Sequence, residues 1–263
     1  MSLLVKRKSA SSILDGIIDG NRAGVSEMWI DGSRARRPTR FSYPGEMRKA
    51  VWLLALLLAP APAQTVHPVT GRPIAVVMGM GGADWLVRPE REQEEAPDAA
   101  LDAISIARGS TVADVGAGAG YFTWRLAARV GPAGKVWATD IQPEMLELLR
   151  RNADSRGFHN VEAVLGAADN PRLPRAALDL ALLVDVYHEF SEPQKMLRGI
   201  RAALKPGGRL VLLEYRKEDP AVPIRAEHRM SVAEVRAEIE PEGFRFDKVL
   251  ETLPRQHILI FRP

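Results

Sequence analysis

The chain has 263 residues, of which 46% are hydrophobic and 26% charged, a composition typical of one soluble α/β domain with additional segments. It contains no cysteine, which excludes thiolate metal sites, cysteine nucleophiles and disulfides. The first 46 residues hold eight basic and five acidic side chains, whereas the residues beyond Ala63 hold 26 basic and 28 acidic ones. The basic excess is therefore a property of the leader, and no nucleic-acid partner is expected.

The N-terminal region divides into a polar extension and an apolar segment. Residues 1–46 show no sustained hydrophobic period, so we expect disorder or a mis-assigned extension before a true start at Met47. Met47-Arg-Lys is followed by an apolar run and by Pro60-Ala-Pro-Ala63, the pattern of a secretory signal peptide too short for a stable membrane span. We expect export with cleavage after Ala63. The alternative is a cytoplasmic protein in which this segment is a buried or interfacial helix.

The next region is predicted to be an N-terminal arm or lid, residues 64–97, followed by the main domain, residues 98–263. Within the arm, Ile74-Ala-Val-Val-Met78 predicts a short strand or an extended segment. Asp98 is predicted to cap a helix over residues 99–107.

From Thr111 onward, strands and helices alternate, which predicts a doubly wound, mostly parallel sheet covered on both faces. The predicted strands are residues 111–115, 135–139, 161–165, 178–184, 209–215, 243–250 and 257–261. The predicted helices include residues 119–129, 143–155 and 192–204. Ser231 with Glu234 predicts a capping box at the start of the last helix. The last two strands read as an antiparallel pair at the sheet edge.

The turn after the first strand is almost free of side chains, in Val112-Ala-Asp-Val-Gly-Ala-Gly-Ala-Gly-Tyr121. Gly116, Gly118 and Gly120 let a ligand approach the main chain, and the following helix start offers free N–H groups. A dinucleotide fingerprint requires its third glycine where Tyr121 stands. The turn therefore predicts a nucleoside-like or carboxylate-bearing cofactor.

Asp140 ends the second strand, about twenty residues beyond the glycine turn. At that point of an open α/β sheet, a carboxylate accepts hydrogen bonds from both ribose hydroxyls of a cofactor. The alternative is that Asp140 is the N-cap of the helix that follows.

Five segments in this order together resemble the class I S-adenosylmethionine-dependent methyltransferases. They are Val112-Ala-Asp-Val-Gly-Ala-Gly-Ala-Gly-Tyr-Phe122, Ala138-Thr-Asp-Ile-Gln-Pro-Glu-Met-Leu146, Asn160-Val-Glu162, Leu178-Asp-Leu-Ala-Leu-Leu-Val-Asp-Val-Tyr-His-Glu-Phe190 and Leu204-Lys-Pro-Gly-Gly-Arg-Leu210. The resemblance covers the chain from about Asp98 to the C-terminus. It implies a Rossmann-like, seven-stranded methyltransferase fold with an antiparallel last strand, S-adenosylmethionine as cofactor, and a small-molecule methyl acceptor.

The resemblance also implies a set of cofactor-binding residues. They are Asp114, Gly116, Ala117, Gly118, Gly120, Tyr121, Asp140, Ile141, Gly166, Ala167, Ala168 and Asp185. The glycines would pass under the methionine part, Asp114 would hold the ammonium group or order the turn, and Asp140 would bind the ribose. The acid usual beside Gly166 is absent, so either Asp169 or backbone groups alone would hold the adenine.

Asp185, Tyr187 and His188 follow the fourth strand and are the residues expected to take part in catalysis. Asp185 is expected near the sulfonium; the alternative is a strand-end acid bonded to the backbone. His188 emerges where the methyl group is presented and would take a proton from the acceptor or position it. The alternative for His188 is a structural histidine bonded to the backbone.

Several polar and aromatic side chains are candidates for covering the acceptor pocket. They are Trp85, Arg88, Tyr121, Arg225, His228 and Arg229. If the last three line the pocket, the acceptor is acidic or phenolate-like; the alternative is a solvated charged run. The five histidines are scattered along the chain, so no metal site is expected.

Two other functional classes stay open from the sequence. One is an NAD(P)-dependent oxidoreductase on a similar sheet, against which the glycine spacing and the closing strand pair argue. The other is a non-catalytic module that binds S-adenosylmethionine. The sequence does not indicate an oligomeric state.

Overall fold

The computed structural model of the chain describes residues 65–263. The predicted extension over residues 1–46 and the predicted signal peptide over residues 47–63 lie outside the described residues. Across residues 65–263, no helix has both the length and the apolar character that a membrane span requires.

One mixed sheet organises the described part of the chain. Its strands are β1 (Thr111–Val115), β2 (Lys135–Asp140), β3 (Val161–Leu165), β4 (Leu178–Val184), β5 (Leu204–Arg216), β6 (Arg229–Met230), β7 (Arg245–Leu250) and β8 (Gln256–Arg262). The order across the sheet is β3-β2-β1-β4-β5-β8-β7, and β6 pairs with the end of β5. Strands β1 to β5 pair in parallel, whereas β8 is antiparallel to β5 and to β7.

This topology confirms the predicted doubly wound α/β sheet with a reversed last strand. The two-residue strand β6 is an addition to the seven strands that were predicted. The chain proceeds from β1 outward to β3 and then returns to β4 on the other side of β1. The carboxyl ends of β1 and β4 therefore flank a crevice, which is where ligands bind in open α/β sheets.

Seven helices accompany the sheet in residues 65–263. They are α1 (Ala83–Leu86), α2 (Arg91–Glu95), α3 (Pro97–Ile104), α4 (Thr123–Val130), α5 (Pro143–Ser155), α6 (Pro193–Ala203) and α7 (Val232–Ile239). Helices α5 and α6 begin at proline, whose fixed φ suits the first helical position. The predicted capping box at α7 is confirmed, since the hydroxyl of Ser231 accepts from the Glu234 amide at 3.1 Å while the Glu234 carboxylate accepts from the Ser231 amide at 3.0 Å.

Three helix boundaries differ from the prediction. Helix α3 begins at Pro97 after Ala96, which has φ 49°, and Asp98 is not its cap because the Asp98 carboxylate accepts from Arg129 at 2.9 Å. It ends at Ile104 because Ser105 takes a left-handed conformation with φ 56°. Helix α4 begins at Thr123 rather than at residue 119, because the glycine turn occupies the intervening residues.

The core lies on both faces of the sheet. Along β4, Ala181 and Leu183 pack in one apolar cluster, whereas Leu180 and Leu182 pack in a second one on the opposite face. All four side chains are fully buried. A strand covered on both faces is nearly all apolar, and this is why residues 180–184 show no polar alternation; the one acid of the strand, Asp179, lies near its start.

The N-terminal arm begins with a turn over residues 68–70, closed by a bridge between Val66 and Pro73, and continues extended over residues 74–78. Buried polar contacts fasten it to the domain. The Arg72 guanidinium donates to both carboxylate oxygens of Glu238 in α7, at 2.9 and 3.0 Å, and to the carbonyl of His188 at 3.2 Å. The Ala75 amide donates to the same carbonyl at 3.0 Å. Residues 74–78 belong to this extended arm rather than to a strand, which was one of the two predicted forms.

Candidate active site

The glycine turn leaves no room for side chains at Gly116 and Gly118, the two of its glycines that line the cavity. Gly116 and Gly118 have φ 71° and 51°. A Cβ atom on Gly116 would lie 2.3 Å from Val186 Cγ2, and one on Gly118 would lie 2.9 Å from Leu86 Cδ1. Both glycines line a cavity of about 410 Å³, the size of a small-ligand pocket. The turn is therefore a cradle in which the main chain faces the ligand, as a nucleoside cofactor requires.

Gly120 has a different role from the one that the resemblance implied. A Cβ atom on Gly120 would lie 2.9 Å from Leu149 Cγ in α5, and Gly120 is not among the residues that line the cavity. The implied cofactor contact of Gly120 is corrected for this reason: its lack of a side chain allows α5 to pack closely against the turn.

Asp140 lines the cavity at the end of β2 and is bonded to the glycine turn. One carboxylate oxygen accepts from the Gly118 amide and the other from the Gln142 amide, both at 2.9 Å. Burial raises the pKa of Asp140, and these two hydrogen bonds oppose the shift. Because Gln142 holds the cap position of α5, Asp140 is not its N-cap. The carboxylate is held in a fixed orientation at the cavity, which fits a bond to a ribose.

Asp114 is buried at the end of β1, with its carboxylate 2.6 Å from the Thr123 hydroxyl that donates to it. Burial raises the pKa of Asp114 to about 6. The contact joins β1 to the start of α4, so the geometry favours the ordering role over the ammonium-binding role.

The loop after β3 lines the cavity through Gly166, Ala167 and Ala168. Asp169 is exposed and is not among the lining residues. Of the two predicted ways to hold an adenine, the structure thus retains the one that uses backbone groups. On the other side of the crevice, Ile141 lines the cavity with 43% of its surface exposed.

Asp185 stands at the end of β4 with φ 49°, a left-handed conformation unusual for a residue with a side chain. Both of its carboxylate oxygens accept from the Gln256 amide nitrogen, at 2.9 and 2.8 Å. Burial and the nearby charge of Glu95 raise its pKa well above the ordinary value, and Arg91 opposes the shift. The alternative of an acid bonded to backbone is not what the structure shows, since the side chain is bonded to Gln256 and lines the cavity.

His188 is buried and bonded on both ring nitrogens. Its Nδ1 lies 2.6 Å from a carboxylate oxygen of Glu214 in β5, and its Nε2 lies 3.0 Å from Nδ1 of His228. Burial lowers the pKa of His188, but the charge of Glu214 and its hydrogen bond outweigh burial, so the pKa is raised overall. Burial, followed by the charge of His188, lowers the pKa of His228. The predicted alternative, a ring bonded to the backbone, is not observed.

Tyr187 is not placed for catalysis, which corrects the prediction. Its side chain is fully buried and packs edge-to-face with Phe190, with ring centroids 5.6 Å apart, instead of lining the cavity. The tyrosine contributes through its backbone, because its amide donates to Glu214 at 3.0 Å. That bond holds the second carboxylate oxygen of Glu214 and so helps to orient the partner of His188.

The cavity is lined by five of the six residues that were predicted to cover an acceptor pocket. Trp85, Arg88, Tyr121, Arg225 and His228 line it. Arg229 does not, because its guanidinium turns away to donate to the Asp219 carbonyl at 3.3 Å. The cavity lining also includes apolar side chains, among them Phe190, Met196 and Ile224.

Two features of the site escaped the sequence analysis. Glu214 was not singled out, although it is the one acid in the apolar run Leu210-Val-Leu-Leu-Glu-Tyr215, and that isolation was the available signal. The scatter of the five histidines along the sequence predicts no metal site, yet the fold brings His188 and His228 together next to Glu189. Burial raises the pKa of Glu189 to about 7, and the charge of His188 opposes the shift.

Comparison with protein families agrees with this geometry. Residues 106–251, more than half of the chain, match the family described as a methyltransferase domain. A solved S-adenosylmethionine-dependent methyltransferase from Aquifex aeolicus superposes with a TM-score of 0.67 at 29% identity, covering 70% of this chain and 98% of that one.

Two curated relatives are similar over a shorter stretch. They are ubiquinone/menaquinone biosynthesis C-methyltransferases from Escherichia fergusonii and Salmonella arizonae, each 35% identical over 118 residues. The match spans 44% of this chain and 47% of each relative, so the chain spans about half the length of the curated relatives it matches.

Proposed function

The chain belongs to the S-adenosylmethionine-dependent methyltransferases, and from this premise we propose that it transfers the methyl group to a small molecule bearing an ionisable hydroxyl. Family membership decides against the NAD(P)-dependent oxidoreductase that the sequence left open. The observation that carries the proposal is the continuity of the cavity, which joins the glycine turn to the buried His188–Glu214 pair.

The cofactor side of the proposed site uses main chain and fixed carboxylates. S-adenosylmethionine supplies a methyl group made electrophilic by its sulfonium. Gly116 and Gly118 would contact its amino-acid part, Asp140 would bind the ribose, and residues 166–168 would flank the adenine through backbone groups. These contacts orient the cofactor, and orientation with exclusion of water supplies much of the rate of a displacement reaction.

The acceptor side supports a phenol- or quinol-like substrate. Its apolar lining suits a ring, and Arg225 and His228 add polar groups at one end. His188 would hold or take the proton of the acceptor hydroxyl at Nε2, with Glu214 accepting from Nδ1. The C-methyltransferases similar to this chain act, by their names, in ubiquinone and menaquinone biosynthesis, which agrees with a ring acceptor.

The test is turnover of S-adenosylmethionine to S-adenosylhomocysteine with a panel of phenols, quinols and carboxylic acids. We expect turnover with a hydroxyl-bearing ring, and Asp140→Asn should weaken cofactor binding about 10-fold by calorimetry, since a charged hydrogen bond contributes about 1.5–3 kcal/mol. Asp179→Asn is the matched control, because the Asp179 carboxylate also accepts a backbone amide bond, from Thr111 at 2.8 Å, away from the cavity. Cofactor binding without turnover on the whole panel would instead favour the non-catalytic module.

The location of the protein is a separate proposal. We propose export directed by residues 47–63, with the mature chain starting after Ala63. Mass spectrometry of the native N-terminus tests this; an intact Met1 start would contradict it and leave the cytoplasmic alternative.

A further inference from the structure

His188, His228 and Glu189 present their ligand atoms to one corner of the cavity. A nitrogen of each histidine and a carboxylate oxygen of Glu189 all lie within 4.8 Å of one another. His188 Nε2 and His228 Nδ1 are 3.0 Å apart. Two nitrogens bound to one metal ion at about 2.1 Å are separated by roughly 3.0–3.4 Å at octahedral or tetrahedral angles. The present separation therefore already fits a shared ion.

The surroundings of His188 are those of a metal-bound imidazole. Metal-binding histidines usually donate their other ring N–H to a carboxylate, which fixes the tautomer and the direction of the free lone pair. Glu214 does this at 2.6 Å, and its side chain is fully buried. The second oxygen of Glu214 is held by the Tyr187 amide at 3.0 Å. His188 is thus fixed with Nε2 toward His228 and the cavity.

The charge of this corner also suits a cation. Glu214 and Glu189 bring two carboxyl groups to a largely buried wall. Two arginines lie close to this corner. Arg225 is exposed, with its Nη2 3.1 Å from His228 Nε2, and the buried Arg72, which donates to the His188 carbonyl at 3.2 Å, is paired with Glu238 at 2.9 Å. A divalent ion between the imidazoles would balance the negative charge of both carboxylates at a place where burial limits their stabilisation by water.

We propose that His188, His228 and Glu189 bind one divalent transition-metal ion, with its remaining coordination positions open to the cavity. His188 keeps its proton on Nδ1 and His228 keeps its proton on Nε2, so both facing nitrogens offer lone pairs. Arg225 then turns from His228 Nε2 toward Glu227, whose carboxylate is 3.5 Å from its Nε. Two nitrogens and one carboxylate favour Zn²⁺, Co²⁺ or Fe²⁺ over Mg²⁺.

The inference rests on the proposed function and deepens it. An ion at this position would coordinate the acceptor oxygen and lower the pKa of its hydroxyl, so that the proton leaves to solvent and His188 Nε2 serves as a ligand in place of its role as a base. The acceptor class would then be narrowed to molecules whose reacting group, or its neighbour, is an oxygen that can coordinate a metal.

The test is titration of the tag-free full chain with Zn²⁺ by calorimetry, without cofactor or acceptor. We expect one ion per chain. His228→Ala should weaken binding at least about 30-fold and Glu189→Gln about 10-fold, whereas His159→Ala, which removes an exposed histidine elsewhere, should leave it unchanged. Absence of binding, or equal binding by His228→Ala and the unaltered chain, would overturn the proposal.

A second titration, with Co²⁺, reports the ligands directly. We expect the intense visible absorption of a four- or five-coordinate site, lost in His228→Ala and kept in His159→Ala. The weak absorption of hexa-aqua Co²⁺ in the unaltered chain would overturn the site. Turnover that persists without metal binding would overturn this inference alone, whereas metal binding without turnover would overturn the proposed function and leave the site standing.

Discussion

Two buried histidines in this protein each have Nδ1 2.6 Å from a glutamate oxygen, and they differ in what the other ring nitrogen meets. His188 pairs with the fully buried Glu214, and its Nε2 faces His228 at the cavity. His257 pairs with Glu251, and its Nε2 lies 2.9 Å from a second carboxylate, that of Glu218. Both partners of His257 are exposed, and His257 does not line the cavity.

The comparison shows that a histidine–carboxylate pair is not by itself a catalytic feature. In His257 both nitrogens are occupied by carboxylates, so the ring links β8 to surface groups. In His188 the carboxylate is on the inner side and the second nitrogen remains directed to the site. The two histidines differ in their access to the cavity. Matched substitutions at the two sites test the effect of that access.

The largest effect is expected from the histidines themselves. His188→Ala should lower kcat about 10²–10⁴-fold, the usual contribution of a group that handles a proton. His257→Ala removes the same kind of pair away from the cavity and should change kcat by less than about 3-fold. Initial rates of S-adenosylhomocysteine formation, with the acceptor found in the panel and below both melting temperatures, decide between them. An equal loss of kcat in the two variants would contradict a role of His188 that depends on its access to the cavity.

The same contrast applies to two glycines with nearly equal positive φ angles. Gly116 and Gly157 have φ 71° and 75°, but a Cβ on Gly157 would meet no described atom within 4 Å. Gly116→Ala should weaken S-adenosylmethionine binding about 100-fold, because Val186 must move into the cradle. Gly157→Ala should lose only about 1 kcal/mol of stability and keep its affinity. Calorimetry with the cofactor measures both; an unchanged affinity in Gly116→Ala would contradict the cradle.

A smaller effect is expected from the carboxylate partners. Glu214→Gln should lower kcat about 10–100-fold and leave the Kd for S-adenosylmethionine within about 2-fold, because Glu214 acts through His188. Glu251→Gln should alter neither quantity, although it breaks a bond of the same length. Separate determination of kcat and of cofactor affinity distinguishes orientation of His188 from general loss of structure. A parallel fall of both quantities in Glu214→Gln would show that its role is only structural.

The remaining effect does not concern catalysis but the dependence of stability on pH. The pKa of Asp114 is raised by burial from its ordinary 3.8 to about 6, so its ionisation disfavours the fold as pH rises from 4 to 7. Between pH 4 and pH 7.5, Asp114→Asn should therefore lose about 2–3 kcal/mol less stability than the unaltered chain. The measurement is the free energy of unfolding in urea at the two pH values.

Asp179 provides the control of opposite sign. Burial raises its pKa, but hydrogen bonds from Lys205 and the Thr111 amide outweigh burial and lower the pKa overall. Its contribution is therefore present at neutral pH and lost as pH falls through its lowered pKa. Asp179→Asn should lose stability at pH 7.5 more than at low pH. A pH dependence in Asp114→Asn that matches the unaltered chain would refute the assigned cause.

The fold and the cofactor side could be predicted from the sequence because each depends on residues close together in the chain. The strands of the sheet are apolar runs bounded by turns, and Asp114, Gly116 and Gly118 lie within one decapeptide. A binding site formed by main-chain atoms requires residues without side chains, and such residues appear in the sequence as glycine. Gly120 shows the limit of prediction from glycines alone. Only the packing of the folded chain distinguishes a glycine that makes room for a ligand from one that makes room for a helix.

The acceptor side depends on side chains that meet only after folding. His188, Glu214 and His228 belong to three elements and are separated by 26 and 40 residues from His188 along the chain. No local sequence pattern predicts that the single acidic residue of β5 lies next to His188. The end of helix α3 at Ser105 differs from the prediction because its left-handed φ of 56° occurs at a residue other than glycine, so no glycine in the sequence marks the end of the helix.

The arm bears on how such proteins can diverge. Trp85, Leu86 and Arg91 line the cavity, although they precede the first residue of the family match at 106. The sheet itself is complete without them. Residues 65–95 therefore contribute part of the pocket wall and no strand of the sheet. Exchange of this segment between relatives would in turn change that part of the wall, including Leu86 beside Gly118, and leave the strands unaltered.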